Sequence, residues 1–286
     1  MSVLEALGLW KNFGATIALR DVSLSLDKGF HVIAGPNGSG KTTLLKIWAG
    51  LLRPSRGSVR TLGLNPWIER SRVLRRVHVA FEDINLPWWT TGLDYLKHVA
   101  YTRGIKWSEV VELAEVMGVT GYWSKGIRGY SSGMRKKVLL LQALIGEPEV
   151  LILDEPYTLL DSRSATTLQE IIWGKVKMGV TVVIATHIFT NLEDRADTLT
   201  VLRNGIVIAH HNVNELRETA RVVCEDRDVV SEIAGSIAGS VERVIVEEGS
   251  IALIARYEGL KRDLLERCRR EVNLRSVYER ELARSP

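Results

Sequence analysis

The run Phe30-His-Val-Ile-Ala34 followed by Gly35-Pro-Asn-Gly-Ser-Gly-Lys41-Thr42 constrains this chain more than any other segment. A short apolar run rich in Val and Ile reads as a strand buried on both faces. The GxxxxGK[ST] pattern at its end has to turn sharply and open onto a helix. Glycines let consecutive backbone N–H groups turn inward around phosphate oxygens, and the helix N-terminus adds partial positive charge. Lys41 then reaches the β and γ phosphates and Thr42 ligates Mg²⁺, with Pro36, Asn37, Gly38, Ser39, Gly40 and Thr43 completing the binding run. A chance glycine-rich turn would not place a strand before it and a helix after it, so nucleoside triphosphate binding is expected.

Three further apolar runs, Val77 to Phe81, Val150 to Leu153 and Val180 to Ala185, alternate with helix-like segments at Lys41 to Ala49, Glu109 to Met117, Gly133 to Ile145 and Ser164 to Lys177. That alternation predicts an α/β domain. Residues 3 to 26 alternate polar and apolar and predict an antiparallel strand layer, and Thr200 to Ala209 predicts a hairpin around an Asn-Gly turn. The pattern changes after Asn214. Strands at Arg221 to Cys224, Val244 to Val246 and Ile251 to Arg256, with helices at Val229 to Ile237 and Leu260 to Val272, predict a small βαββα unit over residues 215–286.

The strand Val150-Leu-Ile-Leu-Asp154-Glu155 ends in two carboxylates, 113 residues after Lys41. A strand ending in Asp-Glu alone reads as ordinary capping. Paired with a phosphate loop, Asp154 suits the Mg²⁺ and Glu155 suits a general base on the attacking water. Tyr130-Ser131-Ser132-Gly133-Met134 opens a helix that leads into that strand. A Ser-x-Gly there is either a helix N-cap or a second phosphate-contacting device.

With these motifs in place the chain resembles the ATP-binding subunits of ABC transporters over essentially residues 3 to 210, with Tyr130 to Met134 at the place of the signature LSGGQ. The resemblance implies a P-loop NTPase core of residues 1–214 with an antiparallel β layer and a helical subdomain at about 83–135, plus the small α+β C-terminal domain. It implies that Ser131 and Gly133 contact the γ phosphate bound by a second ATP-binding subunit, identical or not. His187 resembles the switch histidine at the γ phosphate, Leu160-Asp161 the loop that communicates between the two sites, and Phe13 the aromatic that stacks on adenine, with Trp10 its rival. Where the family usually has Gln, this chain has Glu82, which can take a Mg²⁺ water or the nucleophilic water but adds negative charge beside the phosphates. Leu86-Pro87-Trp88-Trp89 opens the segment that receives helices of a membrane partner; the indoles either fill the subdomain core or line that groove. The signature form Tyr-Ser-x-Gly-Met is similar to that of exporter subunits. The tail Glu271-Val-Asn-Leu-Arg-Ser-Val-Tyr-Glu is similar to the S-L-E-D-V-F tail of type 2 exporter subunits.

Charge and hydropathy then narrow the partners. The longest stretch without Asp, Glu, Lys or Arg, Met178 to Leu192, has 15 residues, whereas a bilayer span needs about 20. Integral permease subunits are therefore expected to be separate polypeptides, with this chain peripheral on the cytoplasmic face. Its N-terminus lacks a secretory layout, and Cys224 and Cys268 cannot form a metal quartet. Of the net +4, residues 215–286 hold 13 basic and 15 acidic groups, leaving 25 basic against 19 acidic in residues 1–214. Without a basic stripe interleaved with aromatics, no nucleic-acid partner is expected; Arg70, Arg72, Arg75 and Arg76 read as a solvated helix face. The alternative to a transporter is a soluble ABC ATPase of a cytosolic scaffold. A P-loop kinase would leave Glu155, the signature and His187 without a purpose.

Overall fold

The structure, a computed structural model, describes residues 2–190, 192–218, 221–224, 241–247, 250–255, 269–271 and 274–284. The chain runs β1 (Leu4–Phe13), β2 (Thr16–Leu26), β3 (Phe30–Ala34), α1 (Lys41–Trp48), β4 (Arg56–Thr61), α2 (Arg70–Leu74), β5 (Val77–Ala80), α3 (Gly92–Arg103), α4 (Trp107–Val116), α5 (Ser132–Leu144), β6 (Val150–Asp154), α6 (Ser162–Lys177), β7 (Thr181–Thr186), β8 (Thr198–Arg203) and β9 (Ile206–Asn212). It continues with α7 (Val213–Glu218), β10 (Arg221–Cys224), β11 (Val241–Glu247), β12 (Ser250–Ala255), β13 (Arg269–Glu271) and α8 (Leu274–Arg284).

Two compact units divide these elements. The first comprises Met1–Ile188 and Thr200–Ile208. Its main sheet has the order β5-β6-β7-β3-β8-β9, with β5, β6, β7 and β3 parallel. Every residue of β3, β6 and β7 is buried, which explains why these strands read as unbroken apolar runs rather than alternating ones. A second sheet, β2-β1-β4, is antiparallel. Helix α1 is packed among residues of both sheets: Leu44, Leu45, Ile47 and Trp48 join Leu4, Leu9, Leu19 and Leu26 on one side and Ile33, Ile152 and Val183 on the other in one buried cluster. Each side chain of that size contributes about 1.5–3 kcal/mol by leaving water.

Register decides where chemistry can occur. Ala34 pairs level with Thr186, and Asp154 with Ala185, so β3, β6 and β7 end together and their following residues share one edge. In open α/β sheets that carboxyl edge is where ligands bind. The Asn-Gly hairpin forms as expected, with Asn204 at φ 50° and Gly205 at φ 77°.

The second unit comprises Phe189–Leu199 and Ala209–Pro286. Segment 189–199 thus joins the C-terminal residues. The reason lies in specific contacts: Leu274 N–H donates to Asp194 Oδ1 at 2.9 Å, and the Phe189 and Tyr278 rings lie 5.3 Å apart. These use Leu274 and Tyr278, the apolar positions of the tail motif. Strands appear where expected at β10, β11 and β12, in a sheet of order β11-β12-β10-β13. The helix expected at Val229 to Ile237 lies outside the described residues, as does most of the one at Leu260 to Val272. The end of the latter is a correction. Arg269–Glu271 is strand β13, paired antiparallel with β10, because an open ladder edge outweighs the helix propensity of Arg-Arg-Glu.

Candidate active site

The phosphate loop forms because its glycines tolerate what other residues would not. Gly38 and Gly40 have φ of 79° and 103°, in the region L side chains avoid. A Cβ on Gly35 would lie 2.4 Å from the Leu202 carbonyl oxygen, and one on Gly40 would lie 2.6 Å from that of Ala18. The hairpin turn braces the loop from behind: Gly205 N–H donates to Ser39 O at 3.0 Å, and Arg20 N–H donates to Gly205 O at 2.8 Å. Lys41, buried at the start of α1, donates to Gly35 O at 2.7 Å and Pro36 O at 3.3 Å, with its ammonium 3.4 Å from Glu155 Oε1.

Strand β6 delivers the carboxylates. Thr42 Oγ1 donates to Asp154 Oδ2 at 2.6 Å, while Asp154 Oδ1 is buried without a hydrogen-bond partner. Burial raises the Asp154 pKa above the usual carboxylate range, and the Thr42 hydrogen bond works against that rise. An orphaned carboxylate oxygen beside a threonine hydroxyl is the oxygen donor set that Mg²⁺ takes. The residues therefore fit the ion that the sequence implies.

Glu155 is 7% exposed and carries a backbone φ of 45°, a strained conformation for a non-glycine residue. Its N–H donates to Ala185 O at 2.8 Å, so the strain is held by the edge of β7. Its Oε1 accepts from His187 Nδ1 at 2.8 Å, and its Oε2 accepts from Thr186 Oγ1 at 3.2 Å. With Nδ1 the donor, the imidazole and the Glu155 carboxylate fix each other's orientation. Glu155, His187 and Lys41 are thereby brought together.

The remaining expected residues lie as follows. Ser131 is the N-cap of α5 and accepts from Met134 N–H at 3.2 Å. A Cβ on Gly133 would lie 2.9 Å from Leu159 O, so glycine is required by close packing. Asp161 caps α6, accepting from Ser164 N–H at 2.8 Å and Ser164 Oγ at 2.9 Å, and those bonds lower its pKa. Phe13 ends β1 half-exposed, with Lys11 Nζ 4.8 Å from its ring centre. Glu82 follows β5 and lines a cavity of about 110 Å³ with Ser132, Lys136 and Leu159. Trp88 and Trp89 are 62% and 73% exposed and meet edge to face, so the core-filling alternative does not hold for either.

Sequence reasoning overlooked Thr186 and Lys136. Lys136 is 4% exposed, and its ammonium donates to Glu155 O at 2.7 Å and contacts Asp154 O at 3.4 Å. Its signal was legible: it shares a face of α5 with Leu140 and Ala143, and a charge on an apolar stripe is out of place.

A strand, glycine loop and helix beside a strand ending in paired carboxylates define a P-loop nucleoside triphosphate hydrolase. The family profile described as "ABC transporter" matches residues 19–158. The daunorubicin/doxorubicin resistance ATP-binding protein DrrA of Streptomyces peucetius is 31% identical over 76% of this chain and 67% of its own length. NatA, an ABC transporter ATP-binding protein of Bacillus subtilis, is 32% identical over 71% of this chain and 85% of its own. The bacitracin transport ATP-binding protein BcrA of Enterococcus faecalis is 30% identical over 88% and 83%. A solved ATP-binding subunit of an ABC transporter superposes with a TM-score of 0.68 at 27% identity, covering 76% of this chain and 92% of the other. The chain belongs to the ABC transporter family as an ATP-binding subunit, an ATPase that powers a membrane permease. A dimeric bacterial cassette at 22% identity and TM-score 0.67 shares its fold.

Proposed function

We propose that this chain powers an exporter from the cytoplasmic face of a membrane, binding MgATP between its own phosphate loop and the signature residues Ser131 and Gly133 of a second copy. The observation that carries this reading is the Asp154 and Glu155 pair, with one carboxylate bonded to Thr42 and orphaned at its other oxygen, the other bonded to His187. Mg²⁺ at Thr42 and Asp154 would supply charge neutralisation of the phosphates. The backbone N–H groups of Gly38 to Thr43 and the Lys41 ammonium hold the phosphates, and Phe13 offers a ring to adenine. Glu155 takes a proton from water as that oxygen bonds to the γ phosphorus, and the bond to the β–γ bridging oxygen breaks with its electron pair leaving on ADP. His187 orients Glu155. Glu82, just after β5, stands by for a water. Asp161, at the start of α6, is placed to relay between the two sites.

The two copies close on ATP and open after hydrolysis, a two-state element that a permease can couple to. Exposed Trp88 and Trp89 supply an apolar surface of the kind a permease helix would bury. Export is supported by the drug-resistance and bacitracin-transport functions of the relatives DrrA and BcrA and by the Tyr-Ser-x-Gly-Met signature. Among the described residues no helix is long and apolar enough to cross a membrane.

The test uses Glu155→Gln, with mass measured by light scattering with and without MgATP and with recovery from membranes measured in parallel. ATP-dependent doubling of mass and capture with a polytopic protein are expected. Doubling with soluble partners alone overturns the permease assignment in favour of a scaffold ATPase. Absence of doubling overturns the role given to Ser131 and Gly133 between identical copies.

A further inference from the structure

Lys136 is a charge that the hydrolytic scheme above does not use. Burying an ammonium is costly unless it is well paired, and its hydrogen-bond acceptors here are neutral carbonyls, Glu155 O at 2.7 Å and Asp154 O at 3.4 Å. Methionine would fill the same space without that cost. The anionic groups acting on Lys136 are Glu82, Asp154 and Glu155. Asp154 is placed for Mg²⁺ and Glu155 lies 3.4 Å from the Lys41 ammonium, whereas Glu82 lines a cavity with Lys136 and Arg135, and the Arg135 guanidinium is already engaged by the Tyr130 carbonyl at 2.6 Å.

Position strengthens the case. Lys136 sits three residues after Gly133 on α5, so its bond to Glu155 O ties the start of the signature helix to the peptide carrying the base. That peptide is the strained one, with Glu155 at φ 45°, and Thr158 Oγ1 donates to the same carbonyl at 2.8 Å. With the Thr158 N–H at 3.4 Å, three donors on one carbonyl fix its direction and with it the backbone from which the Glu155 side chain projects.

We propose that Lys136 is a positioning residue that holds the Asp154–Glu155 peptide against the signature helix and neutralises Glu82, so that this chain tolerates a carboxylate at residue 82 beside the triphosphate. The inference rests on the assignment of Glu155 as base. It predicts an energetic coupling between residues 136 and 82 that simple packing of Lys136 would not produce.

The experiment is a double-mutant cycle on the full chain with Lys136→Met, Glu82→Gln and the pair, measuring kcat and KM for MgATP hydrolysis together with the melting temperature. Lys136→Met lowers kcat about tenfold or more with KM changed less than about threefold, and Glu82→Gln in that background recovers about fivefold, more than it gives in the unaltered chain. Lys136→Arg keeps a substantial part of the rate. If Lys136→Met does not fold, the cycle is run with Lys136→Gln, which removes the charge while keeping a shorter side chain with N–H donors. An effect of Glu82→Gln equal in both backgrounds, or a Lys136 variant within about twofold of the parent, overturns the proposal. Glu155→Gln is measured alongside. Turnover retained there overturns the base assignment itself, whereas turnover lost there with additive effects at 136 and 82 overturns only the present inference.

Discussion

At the scale of single residues, the site couples a strained backbone to a buried charge network. Replacing Glu155 by Gln removes the proton acceptor while keeping its shape, so phosphate release is expected to fall by about 10²–10⁴ with nucleotide still bound; equal turnover in the two proteins would remove Glu155 from the chemistry. A second residue sets a pH limit. His78 in β5 is buried against the Ala143 carbonyl at 3.1 Å, and burial, helped by the Arg103 charge, pushes its pKa from the usual 6.5 down to about 4. Unfolded chain therefore binds a proton that folded chain refuses between those values. Stability is full above pH 6.5 and is lost as pH falls towards 4, by about 2 kcal/mol at pH 5. His78→Gln should flatten the dependence of melting temperature on pH between 7.5 and 5. An unchanged slope would show that other groups carry it.

At the scale of elements, two helix starts are held by side chains whose residue types follow from their duties. Tyr130, where the family signature has Leu, accepts from the buried Gly92 N–H at 3.1 Å and lies 3.2 Å from the carbonyls of Tyr122 and Trp123. Its hydroxyl pins the start of α3 to the start of α5, and a Cβ on Gly92 would lie 2.4 Å from that oxygen. Tyr130→Phe leaves a buried donor unsatisfied, so a loss of about 1–3 kcal/mol in denaturant unfolding is expected. Asp161→Ala removes the cap of α6 and leaves the Ser164 N–H to water, so a lower melting temperature is expected; an unchanged one would show that the cap does not hold the helix start. The four buried strand segments and the phosphate loop were legible in the sequence, because apolar runs and glycine patterns are local signals. Strand β4 was not, since Arg56–Thr61 alternates charge and glycine with only Val59 and Thr61 buried, and its strand state is set by pairing with β1. The inward position of Lys136 could be read from the apolar stripe it interrupts, but its partners could not, because only the fold brings the Glu155 carbonyl to it.

At the scale of the whole molecule, coupling to a membrane is expected to run through the exposed indoles. Trp88→Ala with Trp89→Ala should leave ATP-dependent dimerisation intact and abolish recovery with the permease, read by co-purification from membranes; recovery at the parental level would move the contact elsewhere. What the sequence by itself determined is the chemistry available: a phosphate loop after a buried strand, two carboxylates after another, a Ser-x-Gly helix start and a histidine after a third strand. These are short-range patterns, fixed by the φ that glycine allows and by apolar runs that water rejects. Tertiary structure alone decided that β3, β6 and β7 end in register, so that Thr42 meets Asp154 across 112 residues of chain and His187 meets Glu155 across 32. It also decided that residues 189–199 belong with the C-terminal unit and that a buried lysine meets the Glu155 carbonyl. Such partners are selected by strand order and packing, which set distances between residues remote in sequence and leave no local trace in it.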